Sequence, residues 1–355
     1  MYEPGAIAAV GHAFPKHCYS QKEIALALGK RWVSKLPRPE VFERLLANMG
    51  VSSRHLALPI EAYDALDTWG KANDAWIENA IELGQQAICG AVTRAGLTVR
   101  DVDAIFVVSV TGIASPSIDA RLVNRMHLRN DIKRVPIFGL GCVAGAAGVA
   151  RAADYVRAFP DHVAVLLAVE LCSLTWQRDD LSVANLISSG LFGDGAAAVV
   201  VTGSERRRNT TGPRILDSRS SFYPDTESVM GWDISEQGFR IVLSPDVPKV
   251  VYEHLADDVD GFLASHDLKR SDIGAWVMHT GGPKVLESTV SALDLPAGAL
   301  DASWACLDRA GNLSSASVLL VLEEFVNARR PDPGTLGLLA AMGPGFCSEV
   351  VLLEW

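Results

Sequence analysis

Short apolar runs alternate with longer helical stretches along most of this chain. The clearest runs are AIFVV at 104–108, VAVLLAV at 163–169 and GAAAVVV at 195–201. Strands that are apolar at every position are expected to be buried on both faces of a sheet. Alternation of such strands with helices predicts a layered α/β protein.

The chain also shows a weak internal duplication. An acidic turn leads into an apolar strand and a Thr-Gly exit twice, from Asp101 to Thr111 and from Asp272 to Thr280. About 40 residues after each acidic residue, a Gly-X step precedes a run of small residues, at Cys142 in the first copy and at Asn312 in the second. We therefore predict two similar halves, residues 1–205 and residues 206–355.

The duplication places Cys142, His279 and Asn312 at equivalent connections, which we expect to be strand-to-helix junctions. Functional groups of open α/β sheets gather at such ends. Accidental similarity between two stretches of an α/β protein is the alternative.

Cys142 is the best candidate nucleophile. Glycines at 139 and 141 permit a tight turn, and the small residues from Val143 to Val156 favour a helix that starts deep in the protein. At a helix N-terminus the dipole stabilises a thiolate, so we expect a lowered pKa. A lone buried cysteine is more often an inert small hydrophobe, and that interpretation is kept for Cys18, Cys89 and Cys306.

A cysteine nucleophile needs a base and an oxyanion donor. His279 ends an apolar strand and precedes a Thr-Gly-Gly-Pro turn, and Asn312 stands between Gly311 and a Leu-Ser-Ser sequence. A satisfied core histidine and a helix N-cap are the alternative interpretations of these two residues.

Composition and charge exclude several classes of function. The chain has 355 residues, a net charge of -10 and no basic stripe, so nucleic-acid binding is not expected. Its six cysteines are scattered without a C-x-x-C pair, which argues against zinc, against a disulfide framework and for a reducing cytoplasm. Neither a signal peptide, nor an apolar stretch long enough to span a membrane, nor a Gly-x-Gly-x-x-Gly dinucleotide site is found. We predict no metal and no redox cofactor.

Five stretches resemble the type III polyketide synthases of the thiolase superfamily, which include the chalcone synthases. They run in family order and cover nearly the whole chain: LGCVAG at 140–145, LFGDGAAA at 191–198, MHTGGP at 278–283, GNLSSAS at 311–317 and MGPGF at 342–346. The resemblance implies a thiolase-like α/β fold, with two duplicated βαβαβαββ halves in a layered αβαβα arrangement. It also implies a homodimer, and acyl-CoA and malonyl-CoA as substrates, with no added cofactor.

The resemblance further implies roles for individual residues. Cys142 carries the starter acyl group and the growing chain, while His279 and Asn312 bind the thioester oxygen and stabilise the enolate formed from malonyl-CoA. His279 would also hold the Cys142 thiolate as an ion pair. The matching substrate-cavity positions are Phe192 as a gate, Ile241 in place of a second gating phenylalanine, Val110, Glu170, Cys172, Thr175 and Trp232. Arg44 matches a CoA-binding cation at the tunnel mouth, and Arg54 and Lys284 are further candidates.

The product is predicted from the segment at 230–248, which is similar to bacterial members that make alkylresorcinols or alkylpyrones. We therefore expect a long-chain fatty acyl starter, extended with malonyl-CoA and cyclised to one of these two products. Two rivals remain open: a ketoacyl synthase III-like enzyme that performs one condensation, and a non-catalytic acyl-binding subunit.

Overall fold

The computed structural model describes residues 3–32, 39–206 and 212–355. Within them the strands are β1 Ala6–Ala13, β2 His17–Ser20, β3 Ser53–Leu56, β4 Ala104–Val108, β5 Lys133–Ile137, β6 Val163–Leu171, β7 Asp194–Thr202, β8 Arg214–Phe222, β9 Met230–Ser235, β10 Gly238–Leu243, β11 Ile273–Met278, β12 Leu336–Gly343 and β13 Cys347–Glu354. The α-helices are α1 Gln21–Trp32, α2 Pro39–Ala47, α3 Trp69–Arg94, α4 Ile118–Met126, α5 Ala144–Ala158, α6 Val183–Leu191, α7 Val247–Ala264, α8 Pro283–Leu293, α9 Asp301–Ala310 and α10 Ser315–Glu324. The predicted α/β class is confirmed.

A nine-stranded mixed sheet forms the framework, in the order β11-β12-β13-β8-β1-β7-β6-β4-β5. β1 and β8 meet at its centre through the single pair Ala6 and Arg214. From this seam the order runs β1, β7, β6, β4 on one side and β8, β13, β12, β11 on the other. The first two pairings on each side are antiparallel and the third is parallel. The two sides of the sheet thus repeat one another.

The repeat ends at the outer edge of the sheet. β5 pairs in parallel with β4 on the first side, but in the described residues no strand follows β11 in the equivalent place. The chain there forms α9 and a single bridge between Phe192 and Asn312. Asn312 therefore follows a helix, and the prediction that it lies at a strand-to-helix junction is wrong.

Two helices, α5 and α10, form a layer between the two groups of strands, the β1 group (β1, β7, β6, β4) and the β8 group (β8, β13, β12, β11). α5 packs on strands of both sides, including β6, β12 and β13, and α10 packs on β1, β7 and β11. The helices also contact each other, and small residues in α5 permit this close approach. A Cβ atom on Gly145 would lie 2.2 Å from the carbonyl oxygen of Ser315. The start of α5 is therefore fixed against the start of α10.

The outer faces are covered by longer helices. α3 packs on β1, β7 and β6, while α7 packs on α8 and β13. Together with the central pair, these helices produce alternating layers of helix and strand. No helix in the described part of the chain is long and apolar enough to cross a membrane.

The contact between α5 and α10 gives a stability prediction. We expect Gly145→Ala to destabilise the protein by about 2–3 kcal/mol, because a methyl group cannot fit against the Ser315 carbonyl without displacing α10. Urea unfolding followed by circular dichroism measures the change.

Gly90→Ala on α3 is the matched control, because no heavy atom lies within 4 Å of the added methyl group. It should stabilise the protein by about 0.5–1 kcal/mol through helix propensity. Equal stability of the two variants would contradict the close-packing argument.

Candidate active site

A long cavity of about 640 Å³ joins the surface to the start of α5. Cys142, His279, Asn312 and Phe192 all line it, so the structure brings the three predicted catalytic residues and the predicted gate together. Each of the four side chains is at most 9% exposed. The lining also includes Lys284, an exposed residue.

Cys142 lies on a tight turn, Gly141–Val143, that leads directly into α5. Gly141 has φ of 55°, and a Cβ atom there would lie 2.6 Å from Cδ of Pro344. Only glycine meets both conditions without strain. The Cys142 thiol donates to the hydroxyl of Ser314, with 3.5 Å between Sγ and Oγ. The nucleophile is therefore oriented by the loop that precedes α10.

Burial dominates the protonation of the site. It raises the pKa of the Cys142 thiol to about 12, and the hydrogen bond with Ser314 opposes this only in part. Burial also lowers the pKa of His279 to about 4. The rise in the thiol pKa is opposite in direction to the lowered thiol pKa predicted from the helix dipole, because the cost of desolvating the thiolate outweighs the effect of the helix terminus. Burial likewise acts against the predicted ion pair, which stays a prediction.

Asn312 is held by both its backbone and its side chain. Its N–H donates to the carbonyl of Leu191 and its carbonyl accepts from the N–H of Gly193, each at 3.0 Å. The side-chain oxygen accepts from the N–H of Ser314 at 2.8 Å. Because Oδ1 is occupied in this way, Nδ2 is the group that remains to donate to a substrate oxygen.

His279 follows β11, as predicted, and its N–H donates to the carbonyl of Ala340 at 3.0 Å. Its Nδ1 is buried and has no hydrogen-bond partner in the described residues. A neutral imidazole in this position can act as a hydrogen-bond donor to an oxyanion through whichever nitrogen carries the proton.

A second, small cavity of about 40 Å³ is also lined by Cys142 and Phe192. Its lining contains nearly all of the substrate-cavity residues predicted from the sequence: Val110, Cys172, Thr175, Phe192, Trp232 and Ile241. Phe192 lines both cavities, which agrees with the gate predicted at this position.

Glu170 is the exception, and the structure corrects its assignment. It is fully buried behind the cavity wall and does not line either cavity. Its carboxylate accepts from the N–H of Val110 at 3.1 Å, from Thr111 at 2.9 Å and from Ser315 at 2.5 Å. Burial raises the pKa of Glu170 to about 7. The residue ties the cavity wall to α10 and does not contact the substrate space.

Arg54 is also corrected. It was predicted as a CoA-binding cation, but it is completely buried on β3 and cannot reach a phosphate at the surface. Its guanidinium donates to the carbonyls of Ser189 and Phe192 and to the side chain of Gln21. The other two predicted cations are exposed: Arg44 in the last turn of α2, and Lys284 at the long cavity.

Comparison with known proteins identifies the family. Residues 3–205 match the model of the N-terminal domain of chalcone and stilbene synthases, and residues 214–355 match the model of the C-terminal domain. This chain belongs to the chalcone and stilbene synthase family. It is a type III polyketide synthase, an acyltransferase that works by decarboxylative condensation.

Individual proteins are similar to the synthase over most of its length. A 1,3,6,8-tetrahydroxynaphthalene synthase from Streptomyces peucetius subsp. caesius is 51% identical over 351 residues, which is 99% of this chain and 93% of that protein. A protein named as a putative chalcone synthase from Bacillus subtilis is 36% identical over 88% of this chain and 89% of its own length. The crystal structure of 1,3,6,8-tetrahydroxynaphthalene synthase from Streptomyces coelicolor A3(2) superposes with a TM-score of 0.93, at 33% identity and 99% coverage of both chains.

Sequence reasoning missed several residues of the synthase site. Ser314 contacts the thiol, and its φ of 46° is unusual for a residue other than glycine. Four apolar residues in the lining of the long cavity also went unpredicted, Val251, Leu255, Met278 and Phe346, and we call the part of the cavity beside them the apolar branch. The GNLSSAS stretch gave a signal for Ser314, but apolar side chains on α7 and β11 look the same in sequence whether they face a core or a cavity. No group of three metal-ligating side chains is found in the described residues.

The hydrogen bond between Cys142 and Ser314 predicts a change in thiol reactivity. Ser314→Ala should slow alkylation of Cys142 by iodoacetamide roughly threefold to tenfold at any pH below 9. The reason is that the serine hydroxyl, which lowers the thiol pKa by donating to the thiolate once it forms, is lost. Mass spectrometry of the labelled peptide against time measures the rate.

Ser188→Ala is the control, since Ser188 lines the small cavity and its hydroxyl donates to the carbonyl of Asn185. It should leave the rate unchanged. Faster alkylation in Ser314→Ala would show that the serine shields the thiol and does not activate it.

Proposed function

We propose that this synthase makes 1,3,6,8-tetrahydroxynaphthalene from malonyl-CoA alone. The observation that carries the proposal is the 51% identity, over almost the entire chain, to the Streptomyces peucetius synthase of that name. The close superposition on the Streptomyces coelicolor enzyme supports the same product. This replaces the long-chain alkyl product as the first expectation.

The chemistry of that product needs no oxidant or reductant. Its ten ring carbons correspond to five two-carbon units, each left when a malonyl group loses carbon dioxide. One aldol closure removes one water, and one Claisen closure releases the last thioester. Five malonyl-CoA thus give one tetrahydroxynaphthalene, five carbon dioxide, five CoA and one water, so the reaction requires no added cofactor.

The site residues fit the steps of this reaction. Cys142 exchanges its proton for the acyl group and holds the chain as a thioester. Decarboxylation of a malonyl thioester places a negative charge on the thioester oxygen, and Nδ2 of Asn312 and an N–H of His279 are the donors that can stabilise it. Burial lowers the pKa of His279, so the imidazole is neutral and the one nitrogen that carries its proton is the donor.

The shape of the small cavity supports a compact polyketide. Trp232 and Ile241 lie opposite each other in the β9–β10 ladder and both line this cavity. These side chains limit how far a chain growing from Cys142 can extend on this side, which favours a short polyketide over a long one.

A second candidate keeps the alkyl product, and the apolar branch of the long cavity favours it. The branch passes Val251, Leu255 and Met278 and is continuous with the space beside Cys142. A fatty acyl tail attached to Cys142 could lie in this branch and gain stability by leaving water. The starter would then be a long-chain acyl-CoA.

We also propose that Arg44 and Lys284 hold the CoA phosphates. Both are exposed, and Lys284 lies on the lining of the long cavity through which a CoA thioester would enter. A local pair of cations is sufficient to bind an anionic cofactor to an acidic chain.

Product analysis separates the two candidates. With malonyl-CoA as the only substrate we expect tetrahydroxynaphthalene as the main product under exclusion of oxygen, detected by liquid chromatography with mass spectrometry. Cys142→Ala should abolish it, because no thioester can form. Addition of palmitoyl-CoA should leave this product dominant.

Palmitoyl-dependent pyrones or resorcinols as the main products would overturn the first candidate. Leu255→Trp, which fills the apolar branch, should then suppress them while leaving any malonyl-only product intact. A single condensation product from every starter would instead show that the synthase performs only one extension, and would overturn both candidates.

We further propose that the synthase is a homodimer joined near β5. This strand lies at the edge of the sheet, where its outer hydrogen-bonding groups have no neighbouring strand in the described residues. Phe138 directly after β5 is 51% exposed, and Ile113 after β4 is 49% exposed. Exposed apolar side chains beside an open edge are typical of an interface.

Light scattering after gel filtration tests the dimer. Wild type should have twice the mass of one chain, and Phe138→Glu should shift it toward the monomer, since a charge would be buried at the contact. Leu26→Glu on α1, where Leu26 is 60% exposed, is the control and should remain dimeric. A monomeric wild type would reject the proposal.

A further inference from the structure

The buried guanidinium of Arg54 lies directly behind the gate and the catalytic amide. Its Nη1 donates to the carbonyl of Ser189 at 2.9 Å and to the carbonyl of Phe192 at 2.5 Å, and its Nε donates to Gln21 at 3.2 Å. Gln21 in turn donates to the carbonyl of Gly190 at 2.7 Å. Three carbonyls at the C-terminal end of α6 are therefore held by one connected pair of side chains.

These carbonyls belong to a helix end that needs such partners. The last carbonyls of an α-helix have no backbone N–H donor within the helix, and that end of the helix carries a partial negative charge. A buried cation can donate hydrogen bonds to these carbonyls and can also balance the negative charge. Arg54 itself is compensated by Asp194, a fully buried carboxylate that accepts from the backbone N–H groups of Ser173 and Ala57.

The same segment carries Asn312. The carbonyl of Leu191 accepts from the N–H of Asn312, and the N–H of Gly193 donates to the carbonyl of Asn312. These two residues flank Phe192, whose own carbonyl accepts from Arg54. The backbone of residues 191–193 thus bonds Asn312 through Leu191 and Gly193, and bonds the guanidinium of Arg54 through the carbonyl of Phe192.

A second contact joins Arg54 to the same residue from the other direction. Gly311 precedes Asn312, has φ of 74°, and a Cβ atom there would lie 2.9 Å from Cδ of Arg54. The aliphatic part of Arg54 therefore packs against the turn that presents the asparagine, while its polar end holds Phe192.

We propose that Arg54 is a positioning residue of the synthase, which acts through the Phe192 segment to place the Asn312 amide against the thioester oxygen. The inference rests on the proposed catalytic role of Asn312. A buried arginine that does not contact the substrate would thus contribute to enolate stabilisation, because it fixes the position of the Asn312 amide.

The primary test is Arg54→Lys, which keeps the charge but loses the forked pair of donors. Decarboxylation of malonyl-CoA should lose about 10-fold to 100-fold in kcat, because misplacing an oxyanion donor costs rates of this order. KM for malonyl-CoA should change less than about threefold, and alkylation of Cys142 by iodoacetamide should stay within about twofold, since neither depends on the Asn312 amide.

Arg94→Lys is the matched control. Arg94 also bonds a backbone carbonyl, that of Val10 at 2.8 Å, and pairs with Glu323 at 2.9 Å, at a place far from the two cavities. Because the Arg94 side chain is 47% exposed, this variant should lose less thermal stability than Arg54→Lys, and it should lose no kcat per folded enzyme. A kcat for Arg54→Lys that equals the Arg94→Lys value would show a purely structural role and overturn the proposal.

A double-mutant cycle identifies the route of the effect. In an Asn312→Ala background, Arg54→Lys should cost less than about twofold, because its contribution passes through the missing amide. Independent, multiplicative losses would overturn the proposal. Undiminished decarboxylation by Asn312→Ala alone would instead show that the proposed catalytic role of Asn312 is wrong.

Gln21→Leu provides a second route if Arg54→Lys does not fold. Gln21 is 9% exposed, and its loss removes the bond to Gly190 and the partner of Arg54 Nε while the guanidinium stays. We expect the same pattern with a smaller fall in kcat, about 3-fold to 10-fold. An unchanged kcat in this variant would show that the hydrogen bonds of Gln21 do not help to position the Asn312 amide.

Discussion

The close contact between α5 and α10 is the constraint on which the active site depends. The two helices approach until the backbone of Gly145 lies against the carbonyl of Ser315. α5 begins two residues after Cys142 and α10 begins directly after Ser314, so this contact sets the distance between Cys142 and the loop of Asn312 and Ser314. Cys142 and Asn312 are separated by 170 positions in the sequence. They line the same cavity because the starts of the two helices pack backbone against backbone.

Much of this arrangement could be predicted because the reactive residues carry local signals. Glycine before Cys142 is required by a positive φ, and small residues after it are required by the helix contact, so both constraints appear in the sequence. His279 and Asn312 lie in similarly distinctive turns. Positions such as Val110, Thr175 and Trp232 were placed through the family resemblance, and all three do line the small cavity.

Burial is what the sequence did not reveal. Arg54 and Glu170 are charged residues near motif positions, and charged residues are expected at surfaces or in open sites. Both are instead fully buried and satisfied by distant partners, Ser189 for one and Ser315 for the other. Such partners are set by the tertiary fold, more than 100 positions away, and local pattern contains no information about them. The pKa of Cys142 was misjudged for the same reason, because desolvation depends on the complete fold.

The burial of Cys142 has a consequence for the durability of the enzyme. Peroxide and similar oxidants attack the thiolate and not the thiol, and the higher oxidation states of cysteine are irreversible. Cys142 is only 5% exposed and burial raises the pKa of its thiol, so such oxidants have little access to the sulfur and little thiolate to attack. The burial that surrounds the nucleophile with protein thus also protects the sulfur from permanent inactivation.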